Sequence, residues 1–146
     1  MLVRSDRRYR FDVDADEVWA AICAVDDYRR WWPWLRGFDA RGLHEGDVWT
    51  CVVQPPLPYA LRFAVALDAV DAPRYVAANV SGDIVGEARL HLDGDGDGSC
   101  DVRVVSALAP ASRTLRALAR VARPVVRFGH DWVFDTGARQ FRSRAL

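Results

Sequence analysis

Hydrophobic and polar positions change their rhythm three times along the chain. In "YRFDVD", residues 9–14, Tyr9, Phe11 and Val13 alternate with charged residues, and a period of two predicts a first strand. In "DADEVWAAICAV" the period lengthens: Val18, Ile22 and Val25 recur at i, i+4 and i+7, one face of a helix. Asp14 with Glu17 three residues on has the form of a capping box at its start. Asp26 and Asp27 interrupt that face, leaving room for a short second helix over Tyr28–Trp32. Pro33 pushes Trp32 towards an extended conformation, so this helix should stop there. After Gly37, short alternating runs punctuated by Gly, Asp and Pro predict strands near 38–44, 47–54, 59–70, 74–81, 84–92 and 99–108. "QPPLPY" (54–59) lacks ladder donors at its three prolines and reads as a loop or edge. "DAPR" (71–74) reads as a turn. From residue 110 onward Leu115, Leu118, Ala122, Val125/Val126, Gly129, Val133 and Thr136 step by three and four, a long helix with a kink or break at Pro124.

This order has physical consequences. Consecutive strands joined by short turns make an antiparallel meander. Its apolar face needs a cover, and only the C-terminal helix is long enough to supply one. The expected fold is α+β: a curved antiparallel sheet of about seven strands around a long C-terminal helix, with two short helices after strand 1, in one domain spanning 1–146. In the fourth strand Leu61, Phe63, Val65 and Leu67 should face inwards. An even-length turn at Asp71–Arg74 then turns Val76, Ala78 and Val80 inwards and Asn79 outwards. Gly86, Ala88, Leu90, Val102, Val104 and Ser106 complete an inner face that is small in its middle and poor in polar groups. Small residues there leave room for a ligand, or equally admit closer packing of the helix around Gly129 and Gly137.

Composition narrows the classes. Hydrophobic residues make up 51% and charged residues 27%, an ordinary globular mixture. There is no 18-residue apolar run and no apolar stretch of signal-peptide type near the N-terminus. Cys23, Cys51 and Cys100 are odd in number without CxxC spacing, which favours reduced thiols and a cytoplasmic location. All 20 positive charges are arginine, so no lysine is available for a Schiff base or as a general base. Net charge is zero but segregated: residues 111–146 hold eight arginines against Asp131 and Asp135.

Several stretches resemble the START-like, or SRPBCC, superfamily and within it the bacterial polyketide cyclase/dehydrase-like branch. "VDADEVWAAICAVDDYRRWWPWLRGF" is similar to the family's opening, with its Val-Trp and Trp-x-Pro. "LHEGDVWTCVVQPPLPYALRF", "SGDIVGEARLHLDGDGDGSCDVRVV" and "ARPVVRFGHDWVFDTGARQF" resemble its Gly-turn-strand, its Gly-x-x-x-Gly strand with the following hairpin, and its last helix. Together they cover nearly the whole chain. The resemblance implies a helix-grip fold. It also implies an apolar cavity for hydrophobic or aromatic ligands such as polyketides, lipids or quinones, without implying catalysis.

Candidate chemistry is sparse. Asp93, Asp95, Asp97 and Gly98 match the first half of an EF-hand loop, but Val104 stands where a bidentate Glu is required, so a hairpin turn is expected. His44, His91 and His130 lack metal-site spacing, and no metal or cofactor is expected. His91 should face outwards, opposite Asp101. His130 lies beside the helix's apolar stripe while Asp131 points nearly opposite, so the two should not enter a cavity together. His130 either hydrogen-bonds a ligand or moves a proton, or is a partly buried residue bonded to its neighbours. Tyr59, at the start of the inner strand, is the other proton-transfer candidate. The expected cavity wall is Trp34, Trp49, Leu61, Phe63, Ala78, Leu90, Val104, Val126 and Val133. Trp31 should join the core, and Trp32 should line the mouth or stay exposed, where it would mark a homodimer contact. Arg113, Arg116, Arg120, Arg123 and Arg127 form one stripe, either a solvated helix back or a contact for an anionic membrane surface. No aromatic residues interleave that stripe, which argues against nucleic acid. The functional expectation is a binder of a hydrophobic small molecule, either cyclase/aromatase-like or a non-catalytic carrier.

Overall fold

Short turns decide the topology. In the computed structural model, which describes residues 1–146, β2 (Leu35–Asp39), β3 (Val48–Val53), β4 (Leu61–Asp71), β5 (Tyr75–Gly82), β6 (Ile84–Gly94) and β7 (Cys100–Pro110) each pair antiparallel with the next. β1 (Val3–Phe11) returns to pair with β7, giving the order β1-β7-β6-β5-β4-β3-β2. Between β1 and β2 lie α1 (Ala15–Cys23), a 3-10 turn (Val25–Asp27) and α2 (Tyr28–Trp31). The curved sheet with a long C-terminal helix is the helix-grip α+β arrangement. No helix is long and apolar enough to cross a membrane.

Two elements differ from the reading of the sequence. β1 runs from Val3 to Phe11, not over 9–14. Its odd positions face inwards, but two of them are Ser5 and Arg7, so hydrophobic alternation is silent over its first half. Its strand character comes from the ladder to β7, Val3 opposite Leu108 through Phe11 opposite Cys100. β2 lies at Leu35–Asp39 rather than 38–44, because pairing with β3 begins as soon as the chain passes Pro33. The C-terminal segment breaks beside Pro124 as expected, into α3 (Arg113–Val121) and α4 (Arg123–Arg144), with Ala122 (φ −142°, ψ 55°) between them. Pro124 begins the second helix, where its missing N–H costs nothing.

The β4–β5 connection reaches the expected facing by another route. Asp71 pairs with Tyr75, so the turn holds an odd number of residues. A bulge between Leu67 and Ala69 absorbs Asp68 and restores the phase, placing Leu67 opposite Ala78 and Val65 opposite Val80. Val76, Ala78 and Val80 are buried and Asn79 is exposed, its amide donating to Asp68. In the β6–β7 hairpin Leu90 and Leu92 pair with Val104 and Val102, and His91 faces Arg103 rather than Asp101. The expected loop around Asp93–Ser99 is shorter, since Asp93 and Gly94 still pair with Asp101 and Cys100. That two-residue shift of register keeps every side chain on its face. At the hairpin tip Asp95 Oδ1 accepts from the backbone N–H groups of Asp97 (2.8 Å) and Ser99 (3.2 Å).

Gly86 is required where it stands. A Cβ there would lie 1.9 Å from the carbonyl oxygen of Ala107, and its φ is +149°. The main core gathers Phe11, Val18, Val25, Tyr28, Trp31, Leu35, Leu92, Val102 and Phe141, among others, where α1 and α2 meet the sheet and the C-terminal part of α4. A separate cluster of Leu115, Ala119 and Val126 seats the helix break on the opposite end.

Candidate functional site

Between the sheet and α4 the packing leaves a cavity of about 360 Å³. Its floor is inner-face strand residues: Tyr9 and Phe11 of β1, Val65 and Leu67 of β4, Val76 and Ala78 of β5, Ala88 and Leu90 of β6, Val102 and Val104 of β7. α4 contributes Val133, Phe134, Gly137, Ala138 and Phe141, and α1 contributes Val18 and Ile22. Trp32, Trp34 and Trp49 close one side. All lining residues except Arg89 and Gly137 are hydrophobic. The volume and the apolar wall fit a small-molecule site, whose usual range is roughly 300–1,000 Å³. A shallower depression near β2–β5 mixes Asp39, Thr50, Arg62 and Ser81 with apolar residues. It has no comparable apolar wall.

The tryptophans of "RRWWPW" take separate positions. Trp31 is buried, edge-on to Phe141 at 5.5 Å. Trp32 donates through Nε1 to the carbonyl of Gly137 (3.0 Å) and stacks on Trp34 with centroids 5.5 Å apart. Trp34 donates to Gln140 Oε1 (2.8 Å). A Cβ on Gly137 would sit 3.3 Å from Trp34, so this glycine lets the stacked pair approach α4 closely. Trp49, on β3, donates to the carbonyl of Gly42 (2.8 Å). The indoles of Trp32, Trp34 and Trp49 thus each spend their one donor on the protein and offer their ring to the cavity.

Other candidate residues lie elsewhere. Trp34, Trp49, Ala78, Leu90, Val104 and Val133 line the cavity; Leu61, Phe63 and Val126 do not. Leu61 and Phe63 pack against the main core, and Val126 belongs to the cluster under the helix break. Tyr59 also sits at that end, its hydroxyl in the notch left by Gly129, and burial pushes its pKa up. His130 has only 11% of its side chain exposed, and its Nδ1 lies 3.1 Å from Asp131 Oδ1. Its Nε2 is buried with no partner in the protein. Burial lowers its pKa, and Asp131 only partly opposes that. His130 and Asp131 bond to each other, and neither enters the cavity lining. Asp131 reaches back to its neighbour along the outside while remaining 42% exposed.

Sequence reading missed the polar side of this region. β1 presents Ser5, Arg7 and Tyr9 on its inner face, level with α4. Arg7 bridges Asp131 (2.6 Å) and Asp135 on α4, donates to Ser5 Oγ (3.1 Å) and lies over the Phe134 ring. The Tyr9 hydroxyl lies beside Arg7 without completing a hydrogen bond of normal geometry, and burial raises its pKa. Ser106 is also buried, with its hydroxyl unpartnered. The available signal was a period of two extended backwards: apolar Val3 and Phe11 bracket Ser5, Arg7 and Tyr9 at odd positions. The arginine stripe is exposed, and none of Arg113, Arg116, Arg120, Arg123 and Arg127 makes an ion pair. Val121 and Phe128 are exposed among them, at 85% and 52%.

No protein-family model and no curated protein matches the chain. Solved structures do. A START superfamily protein from Mycobacterium smegmatis superposes with a TM-score of 0.75 at 14% identity, covering 97% of this chain and 96% of that one. The Zhui aromatase/cyclase from Streptomyces sp. R1128 gives 0.73 at 11% identity, covering 98% and 90%. Norcoclaurine synthase from Thalictrum flavum, in complex with dopamine and hydroxybenzaldehyde, gives 0.66 at 11% identity, covering 99% and 88%. These likenesses show a START-like helix-grip fold.

Proposed function

We propose that this protein binds a hydrophobic or aromatic small molecule, of polyketide, lipid or quinone kind, in the cavity between the sheet and α4. The observation that carries this reading is the cavity itself: about 360 Å³, with an almost wholly hydrophobic lining. Apolar surface left facing a void costs stability unless something fills it, and a ligand of matching shape recovers that cost. The aromatase/cyclase and the norcoclaurine synthase among the fold's neighbours support an aromatic ligand. In a cyclase-like role, holding a flexible chain in a reactive pose would supply much of the rate enhancement. His130 and Tyr59 remain the candidates for proton transfer, though both lie outside the lining. The test is a fluorescence titration with N-phenyl-1-naphthylamine, a neutral aromatic probe. Wild-type protein is expected to bind it, and Ala88→Phe, which fills the cavity floor, is expected to weaken binding at least about tenfold. Equal binding by both proteins contradicts the reading.

One observation favours a second reading, a carrier that docks on anionic lipid. Five unpaired arginines surround exposed Val121 and Phe128 at the α3–α4 break, a combination suited to an interfacial surface. Vesicles containing phosphatidylserine should retain the protein at low salt and release it at high salt. Arg116→Glu with Arg120→Glu should abolish retention; no retention of wild type at low salt sinks this reading.

A further inference from the structure

Three buried polar atoms have no partner within the protein: the Tyr9 hydroxyl, Ser106 Oγ and His130 Nε2. Buried polar groups are ordinarily paired, so three orphans call for a common account. They belong to one region. Tyr9 lines the cavity. Ser106 is the next inward position after cavity-lining Val104, and it pairs with cavity-lining Ala88. His130 packs its ring 4.7 Å from that of Phe134, which also lines the cavity. Arg7 connects them: it is paired with Asp131, which holds His130, and its strand partner is Val104. Tyr9 thus lies in the lining, and Ser106 and His130 lie directly behind it, on the β1–α4 side of a cavity that is otherwise apolar.

We propose that Tyr9, Ser106 and His130 form a polar subsite for a neutral oxygen of the ligand, a phenolic hydroxyl or a ketone. This proposal rests on the cavity being a ligand site. The charges nearby select against an anionic group. Arg7 is already committed to Asp131 and Asp135, so the wall holds two carboxylates against one guanidinium. A carboxylate or phosphate would enter facing that net negative charge, since Arg89, the lining's one unpaired cation, sits at an exposed, outward position of β6. A phenolic hydroxyl can both accept and donate, and a ketone oxygen can accept, which suits a hydroxyl pair and an imidazole nitrogen. The ligand class is thus an aromatic or polyketide-like molecule bearing an uncharged oxygen at one end, rather than a fatty acid.

Calorimetric titrations with naphthalene, 2-naphthol and 2-naphthoate at pH 7 separate the possibilities. Wild-type protein is expected to bind 2-naphthol about tenfold tighter than naphthalene, the equivalent of one net hydrogen bond, and to bind 2-naphthoate weakest. Tyr9→Phe, and separately Ser106→Ala, should erase part or all of the naphthol preference while leaving naphthalene binding intact. Retained naphthalene binding also shows that each variant is folded. Equal affinity for naphthol and naphthalene overturns the proposal, as does tightest binding of the naphthoate. So does a naphthol preference that survives both substitutions. If none of the three probes binds, the cavity reading fails and the subsite falls with it.

Discussion

Burial and the Asp131 carboxylate pull His130 in opposite directions, and burial prevails, so its pKa lies below the ordinary 6.5. In the unfolded chain the imidazole returns to about 6.5 and binds more protons than the native state does at pH values just below that. Stability is therefore fully present above pH 6.5 and declines as pH falls through 6.5 towards the native pKa. Urea denaturation at pH 7.5 and 5.5 checks this. Wild type should lose more stability between those values than His130→Gln, and parallel losses would contradict the assignment. In the sequence the same residue was open between a ligand contact and a bond to its neighbours. Helix angles place His130 and Asp131 on divergent directions, yet a side chain that turns back along the helix brings the two within 3.1 Å. The tryptophans divide similarly. Trp31 joins the core, while the berth of Trp32 depends on Gly137, more than 100 residues away, whose carbonyl takes its indole N–H. Cys51 shows a simpler effect: burial in the core pushes its thiol up to about 12, leaving it protonated and unreactive at neutral pH.

Elements were legible wherever apolar residues carry the period. β4 to β7 and α1 follow from their own alternation, within two or three residues at the ends. β1 does not, because Ser5 and Arg7 occupy inner positions and interrupt the apolar alternation. The bulge at Asp68 was equally invisible, since it exists only relative to β5. The break at Ala122 follows from Pro124, while the start of α3 is fixed by Ser112. Ser112 caps α3, its Oγ accepting from the Leu115 N–H at 3.2 Å. Ser112→Ala should cost about 1 kcal/mol and Ser112→Gly only a few tenths, by chemical denaturation. Equal and negligible losses would mean that packing of Leu115 and Ala119 alone holds this helix.

At the scale of the whole molecule, element order was enough to foresee a meander gripping a helix, because no other element could cover the sheet. The cavity was implied by the family resemblance but not by the residues themselves, since small inner residues such as Ala78 and Ala88 serve close helix packing and open space equally well. The structure decides for space on the α4 side near Val133–Phe141 and for close packing at Gly129, where Tyr59 fills the notch. Six tryptophans make the central claim directly observable. Trp32, Trp34 and Trp49 line the cavity, whereas Trp19 and Trp132 do not. The decisive measurement is a ¹H–¹⁵N spectrum of the six indole N–H groups during titration with 2-naphthol. A ligand in the cavity shifts the resonances of Trp32, Trp34 and Trp49 most and leaves Trp19 nearly still. Shifts confined to Trp19 or Trp132, or no shift at saturating probe, contradict a binding site between the sheet and α4.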